Sequence, residues 1–240
     1  MSRQFKAAFL YHNYYSLKGI SEVQERLAAL NESNILLLTS IPEKFIGQEL
    51  PENTETEKFL ITTNQGKDIG GKLLLLNLIL TLYPDIPYLF LLHDKRSYQK
   101  YSGTFEKEML FDIISPEKYS KILSKLNNDP QLGLIGPAAS IKNEFNAKTN
   151  SFRTTNSDIL KTLQTKYQVF TEDYRFVAGT MFCVRTSIFR DFFRKHNPIE
   201  VKATLETGNI LDDAQGTVTH SWERLLGWIV TAAGYKIEGV

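Results

Sequence analysis

His220, Glu223 and Arg224 are spaced i, i+3 and i+4 near the start of the last helical segment, so an imidazole, a carboxylate and a guanidinium share one helix face. Such a set suits proton transfer from a hydroxyl and the holding of a phosphate or carboxylate; the plainer alternative is a surface Glu–Arg pair beside a capping His. A second stretch, Asn64-Gln65-Gly66-Lys67-Asp68-Ile69-Gly70-Gly71, has glycines that permit close backbone approach. Its Lys67 stands near a helix start, where the dipole favours anions. The alternative is a glycine-containing turn with a capping aspartate. A third, His93-Asp94-Lys95-Arg96, follows the apolar run Tyr88 to Leu92. Arg grips a diphosphate bidentately and Lys acts as a point charge, unless these residues form only a solvated loop. Together the second and third stretches suit an anionic ligand and point toward a nucleotide.

Other residue types resolve less sharply. Tyr11, His12, Tyr14 and Tyr15 after the first strand either stack on a nucleobase or finish the edge of the core. Small residues at Ala178-Gly179-Thr180, inside an apolar run, leave room for a ligand to approach the backbone or for a tight strand crossing. Trp222 and Trp228 pack the last helix, with Trp222 also placed to stack on a ligand beside Glu223. Cys183 lies in an apolar strand and reads as packing. The four histidines, at 12, 93, 196 and 220, show no pair at metal-ligand spacing.

The elements that must position these groups are legible from periodicity. Lys6 to Tyr11, Asn34 to Leu38, Lys58 to Thr62 and Tyr88 to Leu92 read as strands, with a helix over Ile20 to Leu30 and a deeply buried helix over Ile69 to Leu82. A helical hairpin closes at Asn127-Asn128-Asp129-Pro130, and a strand spans Leu132 to Ile135. Ala138 to Thr155 has no period and is expected to be a moving loop. A helix to Tyr167 follows Asn156-Ser157-Asp158, then a strand from Phe176 to Val184, a helix from Ile188 to Arg194, and a second moving stretch from Asn197 to Gln215. Both stretches are expected to order when substrates bind. The chain ends in a helix from Val218 to Ala233 and a strand from Tyr235 to Glu238. Alternating strands and helices indicate one α/β domain with a mainly parallel sheet, an antiparallel extension and helices on both faces. Residues 1–137 are expected to be the nucleotide-binding half and residues 138–240 the acceptor-binding, catalytic half.

Composition narrows the class. A chain of 240 residues, 42% hydrophobic, supports a sizeable core, and 28 basic against 27 acidic residues leave a net charge of +1. No global field recruits nucleic acid, so any anion site is local. The single cysteine excludes an intrachain disulfide and fits a reducing, cytoplasmic setting. The greasiest window, Leu73 to Leu82, is about half of the roughly 20 residues a membrane span needs. Peripheral association at the inner face of a membrane stays open.

In order and spacing, five segments resemble the rhamnan synthesis protein F family, a group of GT-A-like glycosyltransferases of bacterial polysaccharide biosynthesis. They are Asn64 to Gly70, Leu92-His93-Asp94-Lys95-Arg96-Ser97, Leu132-Gly133-Leu134-Ile135-Gly136-Pro137, Ala178-Gly179-Thr180-Met181-Phe182, and Gly216-Thr217-Val218-Thr219-His220-Ser221-Trp222-Glu223-Arg224. The departure is Asp94, where a threonine is expected in the His-x-Lys segment. The resemblance implies a GT-A-like fold and inverting transfer of L-rhamnose from dTDP-L-rhamnose to an oligosaccharide or lipid-linked glycan. It implies Glu223 as base, with His220 orienting it and Asp212 and Asp213 as runners-up. Nucleotide-sugar contacts fall to Tyr11, Asn64, Lys67, Asp68, His93, Asp94, Lys95, Arg96 and Arg224. Acceptor contacts fall to Gly179, Thr180 and Trp222. GT-A enzymes commonly hold Mn²⁺ or Mg²⁺ on an Asp-x-Asp pair; here the second carboxylate is missing, so no cofactor is expected to be required, and Asp94 is the one metal ligand if a cation binds. Alternatives are a transferase for another nucleotide sugar, a non-catalytic glycan-binding module of a polysaccharide assembly complex, and a nucleotide-binding regulator. The regulator is disfavoured because no Gly-x-Gly-x-x-Gly follows the first strand.

Overall fold

The computed structural model describes residues 4–94, 113–211 and 215–240. Its centre is a seven-stranded sheet. In chain order, β1 (Ala7–His12), β2 (Ile35–Pro42), β3 (Glu57–Thr62) and β4 (Tyr88–His93) are parallel neighbours in the spatial order β3-β2-β1-β4. All residues of β1, β2 and β4 are buried, which is why these strands read as unbroken apolar runs without alternation. Beyond β4 the order continues through β10 (Phe182–Arg185), β5 (Leu132–Gly136) and β11 (Lys236–Gly239). The antiparallel strand β10 lies inside the sheet, between β4 and β5, and β11 then pairs parallel with β5.

Helices cover both faces, the α/β arrangement expected from the sequence. On one face α1 (Lys18–Ala28) and α3 (Pro116–Asn128) bury Ile20, Val23, Leu27, Tyr119, Ile122 and Leu126 against the odd-numbered residues of β1. On the other, α2 (Lys67–Leu82), α4 (Ser157–Tyr167), α5 (Thr186–Phe193) and α7 (Val218–Ala232) pack over Ala8, Leu10, Leu36, Leu38, Leu89 and Leu91. Caps set several helix starts: the Ser115 and Thr217 side chains accept from the amides of Lys118 and His220.

Three expectations need correction. Residues 138–155 are structured: β6 (Ile141–Asn143) pairs with β9 (Arg175–Val177), and β7 (Phe145–Asn146) with β8 (Ser151–Phe152). Buried Glu144 ties this hairpin down by accepting from the amide and hydroxyl of Thr154. The described part of 197–215 is also built, with α6 (Pro198–Ala203) and a bridge between Thr207 and Gln65. Finally, 176–184 is not one strand, because Gly179 at φ 82° and Thr180 at φ 50° turn the chain between β9 and β10. Among the described residues, no helix is long and apolar enough to cross a membrane.

Candidate functional site

The carboxyl ends of β1, β2 and β4 bring His12 level with Ser40 and with His93. Ligand sites in open α/β sheets lie on this edge. His12 Nδ1 lies 2.8 Å from Ser40 Oγ, and both press on the second turn of α2 at Gly71. A Cβ on Gly71 would sit 2.0 Å from that nitrogen, so the glycine serves the protein's own packing. Burial pulls the His12 imidazole down to about 4, with Asp68 opposing and Lys72 reinforcing the shift.

Asp68 sits one turn before Lys72 on α2, and both point into a polar knot. Lys72 Nζ donates to Asp68 Oδ2 at 2.9 Å, His93 Nδ1 at 2.9 Å, Thr180 O at 2.9 Å and Thr180 Oγ1 at 2.6 Å. The Thr180 hydroxyl donates to Asp68 Oδ2 at 2.6 Å. Burial by itself would raise the Asp68 carboxyl, but Lys72, His93 and Thr180 overcome it and hold the group well below the usual carboxylate range. The Asp68 side chain keeps 24% exposure, whereas Lys72 keeps 1%.

The turn before β10 carries this knot to α7. Gly179 donates its amide to Glu223 Oε1 at 2.6 Å, and Glu223 Oε2 accepts from Arg224 Nη1. Arg224 Nη1 also donates to the His220 carbonyl at 2.9 Å, and its Nε to Glu144 Oε2 at 3.2 Å. His220 Nδ1 lies 2.6 Å from the Thr217 hydroxyl. Glu223, with 17% of its side chain exposed, thus sits at the border of solvent.

Several expected ligand contacts are turned inward instead. Trp222 is fully buried, edge-on to Tyr167 at 5.0 Å, so it is a core residue and offers no platform to a sugar. Arg224 is a buried tie between Glu144 and Glu223, not a phosphate grip. Thr180 is buried with its hydroxyl spent on Lys72 and Asp68, and Gly179 lies in a turn, so the acceptor-on-strand geometry does not exist. Tyr11 is buried with its hydroxyl directed to Asn13 Oδ1, and burial pushes that phenol far up; it does not stack on a base. His93 is buried against Lys72.

Other residues remain on the rim. Asn64 Nδ2 and Asn209 Nδ2 both donate to Tyr14 Oη, at 3.4 and 3.1 Å, while Lys44 Nζ lies 3.7 Å over the Tyr14 ring. Lys67 opens α2 in a left-handed conformation at φ 51°. Asp94 accepts the amides of Tyr14 and Tyr15, each at 2.6 Å. Both carboxylate oxygens thus hold the loop after β1. Lys95, Arg96, Asp212 and Asp213 lie outside the described residues. Among the described residues no group of three or more His, Cys, Asp or Glu is disposed to hold a metal ion.

The structure therefore joins Asp68, His93, Gly179, Thr180, Glu223 and Arg224, drawn from both halves of the chain, into one connected network. Lys72, Glu144 and Glu206 belong to its frame and are missed by motif reading. Lys72 had a signal: it is a cation four residues after Asp68 in a mostly apolar helix. Glu206 caps α7, accepting the amides of Val218 and Thr219 at 2.6 and 2.9 Å, while its own carbonyl accepts the Gly66 amide.

The chain is similar along its length to known sequences. Two curated relatives are the uncharacterized protein WxcX of Xanthomonas campestris pv. campestris strain B100 and its counterpart in strain ATCC 33913. Each is 27% identical over 181 residues, which is 74% of this chain and 24% of the relative. The chain thus spans about a quarter of the length of these relatives. A family model described as rhamnan synthesis protein F matches residues 1–235. With the match covering nearly every element of the sheet, this chain belongs to the rhamnan synthesis protein F family.

Proposed function

We propose that this domain is a GT-A-like glycosyltransferase that moves L-rhamnose from dTDP-L-rhamnose to an oligosaccharide or lipid-linked glycan, with inversion. The observation that carries this is the continuity of the network from the ligand-binding edge of β1 and β4, through the Gly179–Thr180 turn, to the half-buried Glu223. The nucleotide lies over the loops after β1, β3 and β4, near Asn64, Lys67 and Asp68. Glu223 takes the proton of the acceptor hydroxyl as that oxygen attacks the anomeric carbon; the bond from that carbon to the diphosphate breaks and dTDP leaves. His220, one turn before Glu223, supports it. Lys95 and Arg96, next to Asp94 in sequence, offset the diphosphate charge, so no divalent cation is required. The work is done in the cytoplasm, at the inner face of the membrane where a lipid-linked acceptor is held.

One observation favours a second reading. Asp68, Asp94 and Glu223 already accept hydrogen bonds from this protein, as suits a glycan-binding module without turnover. Thermal unfolding with dTDP-L-rhamnose, dTDP, UDP-glucose and GDP-mannose, in EDTA and in Mn²⁺, separates the two. Ligand at a hundred times its Kd stabilises by about 2.7 kcal/mol, which moves Tm by roughly 2 to 4 °C per kcal/mol at this size. A dTDP-selective shift that persists in EDTA, followed by rhamnosyl transfer that Glu223→Gln abolishes, supports the transferase. No shift with any nucleotide favours the binding module, and turnover lost in EDTA and restored by Mn²⁺ sinks metal independence.

A further inference from the structure

Lys72 extends from a helix that is otherwise apolar nearly all round, and burying its ammonium is costly unless each N–H finds an acceptor. Three protons serve at least four acceptors here, so one is shared. The directions are determined by chemistry. An ammonium cannot accept, so His93 Nδ1 must, which puts the ring proton on Nε2. The Thr180 hydroxyl gives its proton to Asp68 and offers a lone pair to Lys72.

The target of this arrangement is unusual backbone. Thr180 is β-branched yet left-handed at φ 50°, a conformation that persists only when its surroundings over-determine it. Lys72 grips both the carbonyl and the hydroxyl of that residue. The neighbouring Gly179 amide is the one that meets Glu223 Oε1. We infer that Lys72 is a positioning residue: through the Gly179–Thr180 turn it sets where the Glu223 carboxylate lies, a role that rests on reading Glu223 as the base. It touches no substrate. It couples the start of α2, under the nucleotide edge, to α7 through the Gly179–Thr180 turn.

The test compares wild type with Lys72→Met, close in shape but uncharged, and with Thr180→Gly, which deletes the hydroxyl while suiting the left-handed turn. In the full chain, ¹⁵N–¹H spectra report the Gly179 amide, whose proton should move upfield and exchange at least tenfold faster in both variants as the bond to Glu223 loosens. Kinetics with dTDP-L-rhamnose should show kcat lower by about a hundredfold, the scale of a 1 Å misplacement, with donor KM changed less than threefold. A folded Lys72→Met protein with a wild-type Gly179 amide overturns the inference. If that variant does not fold, a wild-type amide in Thr180→Gly overturns it instead. Because the spectra need no turnover, absence of transfer by wild type counts against the proposed reaction alone, and the amide still decides the role of Lys72.

Discussion

Asp94 Oδ1 accepts the backbone amide of Tyr14 at 2.6 Å, across the seam between β4 and β1. Its partner oxygen takes the Tyr15 amide at the same distance, so one side chain closes the loop after β1 onto the end of β4. Burial pushes this carboxyl above its ordinary value, and the two amides pull against that shift without cancelling it.

Asp94→Ala should therefore free the loop without unfolding the sheet. A hydrogen bond to a charged group contributes about 1.5 to 3 kcal/mol, so exchange of the Tyr14 and Tyr15 amides should quicken by about tenfold or more. Exchange at β1 itself should hardly change. Wild-type protection at both amides in the variant would mean that Asp94 does not hold the loop.

Asp68 makes a prediction about acid. Its folded value is depressed, so the stability it contributes is complete above the unfolded carboxyl value of roughly 3.9 and is lost as pH falls from there toward the folded value. Asp68→Asn also leaves Lys72 short of its charged partner, at a cost of about 3 kcal/mol near neutrality. Urea unfolding at pH 7 and pH 3 should show the gap between wild type and variant shrinking at the lower pH. A gap that widened there would reverse the assigned direction.

Which parts of this were legible depended on the forces involved. β1, β2 and β4 are buried on both faces, so their apolar runs announce them, and α2 reads as buried for the same reason. The Gly179–Thr180 turn hid inside an apolar run because threonine carries no signal for a left-handed backbone; Lys72 enforces it from 108 positions away. Residues 138–155 and 197–209 have no hydrophobic period because Glu144 and Glu206 hold them by bonds to single amides and hydroxyls. Such ties leave no repeating pattern. The face shared by His220, Glu223 and Arg224 was correctly drawn, but Arg224 looks outward in sequence and is buried in fact, since its partner Glu144 lies 80 positions away.

Gly71 separates a packing role from a ligand role. A methyl group there would meet His12 Nδ1 at 2.0 Å and Ser40 Oγ at 2.7 Å, with both side chains buried. Overpacking of this kind costs about 1 to 3 kcal/mol, so Gly71→Ala should unfold at lower urea before any substrate is added. Wild-type stability combined with lost nucleotide binding would return the glycine to the role of a ligand cradle.

Cys183 offers a clock for the strand behind the turn. It lies in β10, paired to Phe90 on one side and Ile135 on the other, with no exposed surface. Burial pushes its thiol well above the ordinary value, and Arg185 offsets only part of that shift. The thiolate is the reactive form, so native protein should resist a thiol reagent until the sheet opens. Labelling by an excess of Ellman's reagent should then follow the same urea dependence as global unfolding monitored by tryptophan emission, since Trp222 and Trp228 are both fully buried in α7. Labelling much faster than unfolding, and insensitive to low urea, would mean that β10 detaches locally. The Gly179–Thr180 turn would then be a moving part, and a knot centred on Lys72 could not hold Glu223 in one place.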